Sequence, residues 1–366
     1  MYRFLRPIFF LFSPEAVHGI VMVMLRTMGH IPGAKWLLGK CLTVKSDKLH
    51  VNVLGIDFPN PVGLAAGFDK NAVAIREIAA LGFGFVEIGS VTPVAQFGNP
   101  KPRCFRLSQD KAIINRMGFN NNGVDAVANL LSYRKAGQII GGNIGKNTLT
   151  SNGKAADDYL SCFISLYDVV DYFVVNVSCP NVSNLRELQD HSQLTEIVQK
   201  LTAHRAAQNH YKAILLKVSP DISFEQVDVM LAVIGNHGLD GIVATNTTTS
   251  RGGLTTRHQE VEAIGNGGLS GAPLTARSLD MVKYISAKTG GKLPIIGVGG
   301  IMSVEDALNM LNAGASLIQV YTGFIYNGPG FVKKICRAIL NKEQGQKEQR
   351  TRIKGTKTTS LSCPCS

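Results

Sequence analysis

Several absences in this chain narrow its function before any motif is considered. No segment of the 366 residues offers the ~18 to 20 consecutive apolar residues that a membrane-spanning helix needs, so the chain is not expected to cross a bilayer. Among the seven cysteines (41, 104, 162, 179, 336, 363 and 365) there is no Cys-x-x-Cys pair and no Cys/His cluster at zinc-ligand spacing. Free thiols in a reducing compartment and no metal site are therefore expected, and Cys363-Pro-Cys365 in the polar tail is given no role. No arginine-rich helix or basic run interleaved with aromatics occurs in the body of the chain. The formal charge of +12 comes largely from the two ends, and nucleic-acid binding is not expected. A central histidine and a carboxylate pair are also missing, which excludes triad hydrolysis and two-carboxylate glycosidase chemistry.

What is present begins with an unusual N-terminus. Ser13-Pro14-Glu15 is a helix start: serine can cap, proline is tolerated at the first helical position, and glutamate favours the positive helix end. Ala16 to Met28 is almost wholly apolar apart from His18 and Arg26, and a second helix is expected around Trp36-Leu37-Leu38. A convincing cleavage site is missing, and the apolar helix runs straight into the second, so neither a secretory signal nor a mitochondrial presequence fits well. The expectation is an amphipathic unit on a membrane surface, with Arg3, Arg6, Arg26, Lys35 and Lys40 at anionic head groups. An ordinary core-packing helix pair is the alternative.

From Asn60 onward, short apolar runs alternate with amphipathic helical stretches, the pattern of a parallel sheet. Eight strands are expected at 61–67, 83–90, 138–145, 171–178, 213–219, 241–247, 293–300 and 316–323. Helices between them include 192–208, 223–238 and 303–314, and a final helix is expected over 330–340. This is the pattern of an α/β (β/α)8 TIM barrel, with one long insertion from Thr92 to Gly137. Three regions follow: an N-terminal helical segment (1–45), the barrel (46–341) and a disordered basic tail (342–366).

Each strand ends in residues that a buried sheet would not choose, among them Asp69-Lys70, Ser90, Asn143, Lys146, Asn176, Lys217 and Thr245-Asn246-Thr247. In a barrel all these ends lie on the face that carries the active site. Gly297-Val298-Gly299-Gly300 and Tyr321-Thr322-Gly323 follow the seventh and eighth strands, where barrels commonly hold phosphate on backbone N–H groups. Two lysines and many amides suit a planar, hydrogen-bonding cofactor and an anionic substrate, and a flavin fits. A flavin-free, phosphate-binding lyase or isomerase barrel and a non-catalytic membrane-surface protein are the rival classes.

The motifs NPVGLAAGFDKN, GFGFVEIGSVTP, KPRCFRL, NRMGFNNNG, NIGKN, NVSCPN, ATNTT, GGLSG, LPIIGVGGI and YTGFIYNGPG occur in one order. In them, and in its N-terminal helices, the chain resembles the dihydroorotate dehydrogenases, specifically the membrane-associated, quinone-dependent class 2. The resemblance implies oxidation of dihydroorotate to orotate in pyrimidine biosynthesis, with FMN as hydride acceptor and a membrane quinone as final oxidant. It implies that FMN is held by Ala66, Gly67, Phe68, Asp69, Lys70, Ser90, Asn143, Asn176, Lys217, Thr245, Gly271, Gly300, Tyr321 and Thr322. It implies a substrate site of Lys70, Asn115, Arg116, Met117, Gly118, Phe119, Asn176, Asn181, Asn246 and Thr247, and a quinone end lined by His18, Arg103 and Tyr321. A peripheral protein on the cytoplasmic face of a bacterial membrane, monomeric or weakly homo-oligomeric, is expected.

One residue departs from the pattern. Class 2 enzymes usually carry serine where this chain has Cys179, and cysteine is the habit of the soluble class 1 enzymes, so a class 1-like enzyme using fumarate or NAD is the alternative. A thiol titrates near ~8.5 when unperturbed and is a better base at neutral pH than an unassisted alcohol. Cys179→Ala is expected to lose most turnover while still binding FMN. Cys179→Ser should remain partly active, and flavin-reduction rates measured against pH should give different profiles for the thiol and hydroxyl forms.

Overall fold

Helical periodicity divides the N-terminal segment into two faces with different neighbours. In the computed structural model, which describes residues 2–135, 137–178 and 191–342 (for His191 the backbone alone), this segment forms α1 (Tyr2–Phe10), α2 (Pro14–His30) and α3 (Ala34–Leu42). Cys179, Asn181 and the tail from 343 lie outside the described residues. Helix α1 was not expected. Its Tyr2, Arg6 and Phe10, spaced by four, share one face. The Tyr2 hydroxyl donates to the Ile325 carbonyl, Arg6 donates to the Tyr326 carbonyl at 3.2 Å, and Phe10 meets the Tyr326 ring edge-on at 5.2 Å. Phe4, Leu5 and Ile8 of the same helix are exposed.

The expected start of α2 is present, with Ser13 Oγ accepting from the Ala16 amide. Val21, Met22, Leu25 and Met28 pack on the barrel's outer core, while Ile20, Val23 and Met24 face outward. The inward face thus packs as the core-packing alternative expects, while the outward face leaves apolar side chains exposed. Gly29 lies against Glu77, where a Cβ would come 2.2 Å from Oε1, and Lys35 of α3 pairs with the same carboxylate at 3.4 Å. Arg6 and Lys35 thus point inward, whereas Arg3, Arg26 and Lys40 are exposed.

Beyond these helices, β1 (Val51–Val53) and β2 (Ile56–Phe58) form an antiparallel hairpin. The barrel begins with β3 (Val62–Leu64) and β4 (Phe85–Val91), is interrupted by β5 (Cys104–Leu107) and β6 (Ala112–Asn115), and continues with β7 (Ile140–Ile144), β8 (Tyr172–Asn176), β9 (Ala213–Val218) and β10 (Gly241–Ala244). Strand β11 (Gly268–Gly271) leaves the barrel to pair with β6, and β12 (Ile295–Val298) and β13 (Leu317–Val320) complete it. The eight parallel strands close in the order β10-β12-β13-β3-β4-β7-β8-β9. Each lies within an expected segment apart from one residue of β4, and the insertion contributes β5 and β6, to which β11 adds to make the three-stranded sheet β11-β6-β5. Helices occupy His191–Ala206, Phe224–His237 and Val304–Asn312, and the last helix spans 331–342, so Lys342 precedes the tail.

Alternation along the strands sorts residues into the barrel's inside and outside. Phe85, Tyr172, Val174, Ala213, Leu215 and Leu317 form the inner cluster, while Val86, Phe173, Val175, Ile214 and Ile318 belong to the outer core beneath the helices. The two large inner rings are accommodated by facing glycines: a Cβ on Gly63 or Gly141 would come 2.3 Å from Phe85 or Tyr172. Phe58 of the hairpin, fully buried, closes the lower end against Phe85 with ring centroids 5.2 Å apart. Phe58→Ala removes this plug and should lower the unfolding free energy by about 3–5 kcal/mol, seen as a lower urea midpoint.

Candidate active site at the C-terminal end of the barrel

Every inward-facing series ends at the same rim, so side chains far apart in sequence meet there. A cavity of about 420 Å³ opens at this rim. Of the residues singled out from sequence, Ala66, Gly67, Phe68, Asp69, Lys70, Ser90, Asn115, Met117, Gly118, Phe119, Asn176, Lys217, Thr245, Asn246, Thr247, Gly271, Gly300, Tyr321, Thr322 and His18 line it. Asn143, Arg103, Arg116 and the strand-end Lys146 are described but do not line it; Lys146 Nζ donates instead to the carbonyls of Asn147 and Thr150.

Asn143 sits one layer behind the wall, fully buried. It accepts from the Ser90 hydroxyl and, at 3.3 Å, from Asn176 Nδ2, which also donates to Ser90 at 2.8 Å. Asn246 Nδ2 continues the chain to Asn176 Oδ1 at 3.1 Å and to Ser178 Oγ at 3.0 Å. The rim of β4, β7, β8 and β10 is therefore a connected set of amides and hydroxyls whose rotamers are mutually held. Below it lies Glu87, which the sequence-derived set omits. Asn143 Nδ2 donates to its Oε1 at 2.8 Å, Lys217 Nζ at 3.3 Å, and Gln319 Nε2 to its Oε2 at 2.6 Å. A charged residue within the apolar run of β4 was the available signal.

Arg116 turns away from the cavity. Its guanidinium donates to the carbonyls of Ile264, Asn266 and Pro102 and lies over the Phe105 ring at 4.6 Å. Arg103 directs its donors to Glu15 Oε1 (2.8 and 3.2 Å) and to the carbonyls of Phe97 and Asn99, which joins the insertion to the start of α2. Burial raises the Glu15 carboxyl, but the Arg103 hydrogen bonds and charge, helped by Lys101, bring it below its ordinary value. Asp69 lines the cavity while its carboxylate accepts from the amides of Val73 and Ala74 at 2.9 and 2.8 Å, just ahead of the helix Ile75–Ala79. Burial raises its pKa, against those two amides.

On the opposite side the insertion places Met117, Gly118 and Phe119 over the rim, where Gln96 Nε2 donates to the carbonyls of Gly118 and Phe119. Lys70 Nζ donates to Asn120 Oδ1 at 2.6 Å. At the far end Gly300 has φ +71, and a Cβ there would come 2.2 Å from Thr275 Cα, so this loop can lie against the start of the preceding helix, Thr275–Lys288, only as glycine. Thr275 Oγ1 donates to the Gly300 carbonyl at 2.7 Å and holds the loop in place.

The remaining wall comes from α2, through Pro14, Glu15, His18, Gly19 and Met22. His18 Nε2 donates to the Phe68 carbonyl at 2.7 Å, because a carbonyl can only accept. The Phe68 ring meets His18 and Tyr321 edge-on, at 5.2 and 5.7 Å. Cys104, a further wall residue, is held as a neutral thiol, its pKa pushed up to about 11 by burial.

Comparison with known proteins agrees with this architecture. A model of the family described as Dihydroorotate dehydrogenase matches residues 48–342. The chain is 49% identical over 343 residues to the dihydroorotate dehydrogenase (quinone) of Christiangramia forsetii, covering 93% of this chain and 99% of that one. It is 47% identical to the dihydroorotate dehydrogenase (quinone) of Gloeobacter violaceus, with 93% and 94% covered. Among solved structures it is similar to the crystal structure of DHODH in complex with ferulenol from Eimeria tenella. There the TM-score is 0.80 and the identity 35%, with 91% of this chain and 92% of that chain covered.

Burial lowers the His18 pKa, against the raising effect of its bond to Phe68. The unfolded chain therefore takes up the proton first on acidification. Stability is full above the ordinary imidazole value near ~6.5 and falls as pH drops through it towards the folded pKa. Urea midpoints of the parent and His18→Gln, compared between neutral and mildly acid pH, should show a shallower acid loss in the variant.

Proposed function

The chain belongs to the dihydroorotate dehydrogenase family, and on that premise we propose that it oxidises dihydroorotate to orotate in pyrimidine biosynthesis and passes the electrons to a membrane quinone. The observation that carries this reading is a single cavity bounded both by the barrel rim and by α2, a helix whose outer face is apolar and exposed. A fumarate- or NAD-linked, class 1-like enzyme would not call for a wall of that kind, and the curated relatives that match over almost their whole length carry quinone in their names.

FMN is the cofactor in this reading, and the wall chemistry fits it. Lys217, Asn176, Ser90 and Thr245 offer one cation and several neutral polar groups to a planar heteroaromatic ring, and the close-packed Gly299-Gly300 loop offers bare backbone to a phosphate. When bound, FMN would supply a hydride acceptor for dihydroorotate and a two-electron relay to the quinone. Lys70, Asn115, Asn246 and Thr247, with the Met117 to Phe119 loop, hold the anionic pyrimidine, while Cys179 serves as the base that removes its proton. His18 and Tyr321 line the quinone end, and Arg103, spent on Glu15 and two carbonyls, ties α2 to the barrel beside it.

The N-terminal helices are the membrane-facing part. Eleven of the nineteen large apolar side chains exposed among the described residues lie within the first 42, including Phe4, Leu11, Phe12 and Trp36. Arg3, Arg26 and Lys40 are exposed beside them, a composition suited to anionic head groups. Among the described residues no helix is long and apolar enough to cross a membrane. Attachment in this reading is peripheral, at the cytoplasmic face of a bacterial membrane.

The deciding measurement is turnover of dihydroorotate with a ubiquinone analogue, fumarate and NAD as competing oxidants. Only the quinone should sustain it, and efficient fumarate or NAD turnover would refute the reading. Removing residues 2–42 should release the protein from vesicles and lower quinone turnover more than the rate of flavin reduction.

A further inference from the structure

Glu87 has no exposed surface, and nothing above gives it a task beyond holding its neighbours. It faces the barrel interior from the middle of β4, and its two oxygens accept from side chains of three other strands, β7, β9 and β13. Its cationic partner among the described residues is Lys217, 3.3 Å away and itself nearly buried, which lines the cavity while Glu87 does not. Deeper in the barrel lies the Tyr172 phenol, which burial and then the Glu87 charge push well above its ordinary range. A buried ion pair is a weak source of stability, because desolvation of both charges offsets their attraction. Apolar residues could fill the same space, so the pair is better understood by what its upper member meets.

We propose that Glu87 is a positioning residue that aims Lys217 and Asn143 at the rim and, by offsetting the Lys217 charge from beneath, sets how readily the bound flavin is reduced. The proposal rests on the reading that FMN occupies this cavity. A reduced flavin carries extra negative charge, which a cation at the ring stabilises and an anion directly below opposes. In a low-dielectric barrel core, removing that anion is felt strongly.

The test is the flavin midpoint potential of FMN-loaded Glu87→Gln, measured against a dye couple. Reduction should become easier by about tenfold in its equilibrium constant, ~30 mV for a two-electron couple. An unchanged or lower potential with FMN still bound overturns the proposal. Where Glu87→Gln fails to fold, the charge-neutral double variant gives an independent decision. Lys217→Met alone strands Glu87 as a buried anion and should weaken FMN binding, read by flavin fluorescence. Adding Glu87→Gln to it should recover about tenfold of that affinity. A double variant that binds FMN no better than Lys217→Met shows a merely structural Glu87 and overturns the proposal. A parent chain that binds no FMN overturns the functional reading as well, whereas a flavin-loaded parent with neither effect overturns this inference alone.

Discussion

A carboxylate sealed inside a barrel must be met by donors, because the effective cost of desolvating an ion is several kcal/mol and only close, well-directed partners offset it. Glu87 is in this position, and the arrangement around it follows from that requirement. Asn143, Lys217 and Gln319 are drawn to it from three strands. With Asn143 committed on its amino side, its oxygen is left to accept from Ser90 and Asn176. Asn176 in turn orients Asn246. One buried charge thus propagates an ordered set of side chains to the rim, where each member has little rotational freedom left.

The N-terminal helices obey a different constraint. Their apolar content exceeds what one packing face can absorb, and a helix presents its residues in stripes. The stripe Val21, Met22, Leu25 and Met28 is used against the barrel, and the stripe Ile20, Val23 and Met24 is left outward. Specific polar contacts hold the segment in place: Arg103 on Glu15, Lys35 on Glu77, Arg6 on the Tyr326 carbonyl. These contacts keep His18 and Met22 against the cavity. In the proposed function, this is how an apolar oxidant could approach the flavin without the barrel opening to water.

Much of this was legible in the chain itself. The eight strands, the helices between them and the capped start of α2 follow from periodicity and capping chemistry, which are local. So does the gathering of polar residues at one end, once a parallel barrel is inferred, since all its strands point the same way. The motif resemblance named the family that the comparisons then showed. Helix α1 was missed because Pro7 and two arginines interrupt its apolar pattern, and it is held by contacts to residues more than 300 positions away. The hairpin β1–β2 was missed because its three-residue strands carry too little alternation to register.

Sequence by itself determined the architecture, the residue types available at the rim and the membership of the family, because these depend on short-range pattern and on motifs in order. Tertiary structure decided which of those residues share a surface. It withdrew Arg116 into contacts with backbone carbonyls, committed Arg103 to Glu15, and set Asn143 behind the wall rather than in it. It also brought in Glu87 and Gln319, whose importance lies in the alternation of separate strands around a closed barrel. The direction in which a side chain spends its hydrogen bonds depends on partners distant in sequence, and only the closed barrel brings those partners within reach.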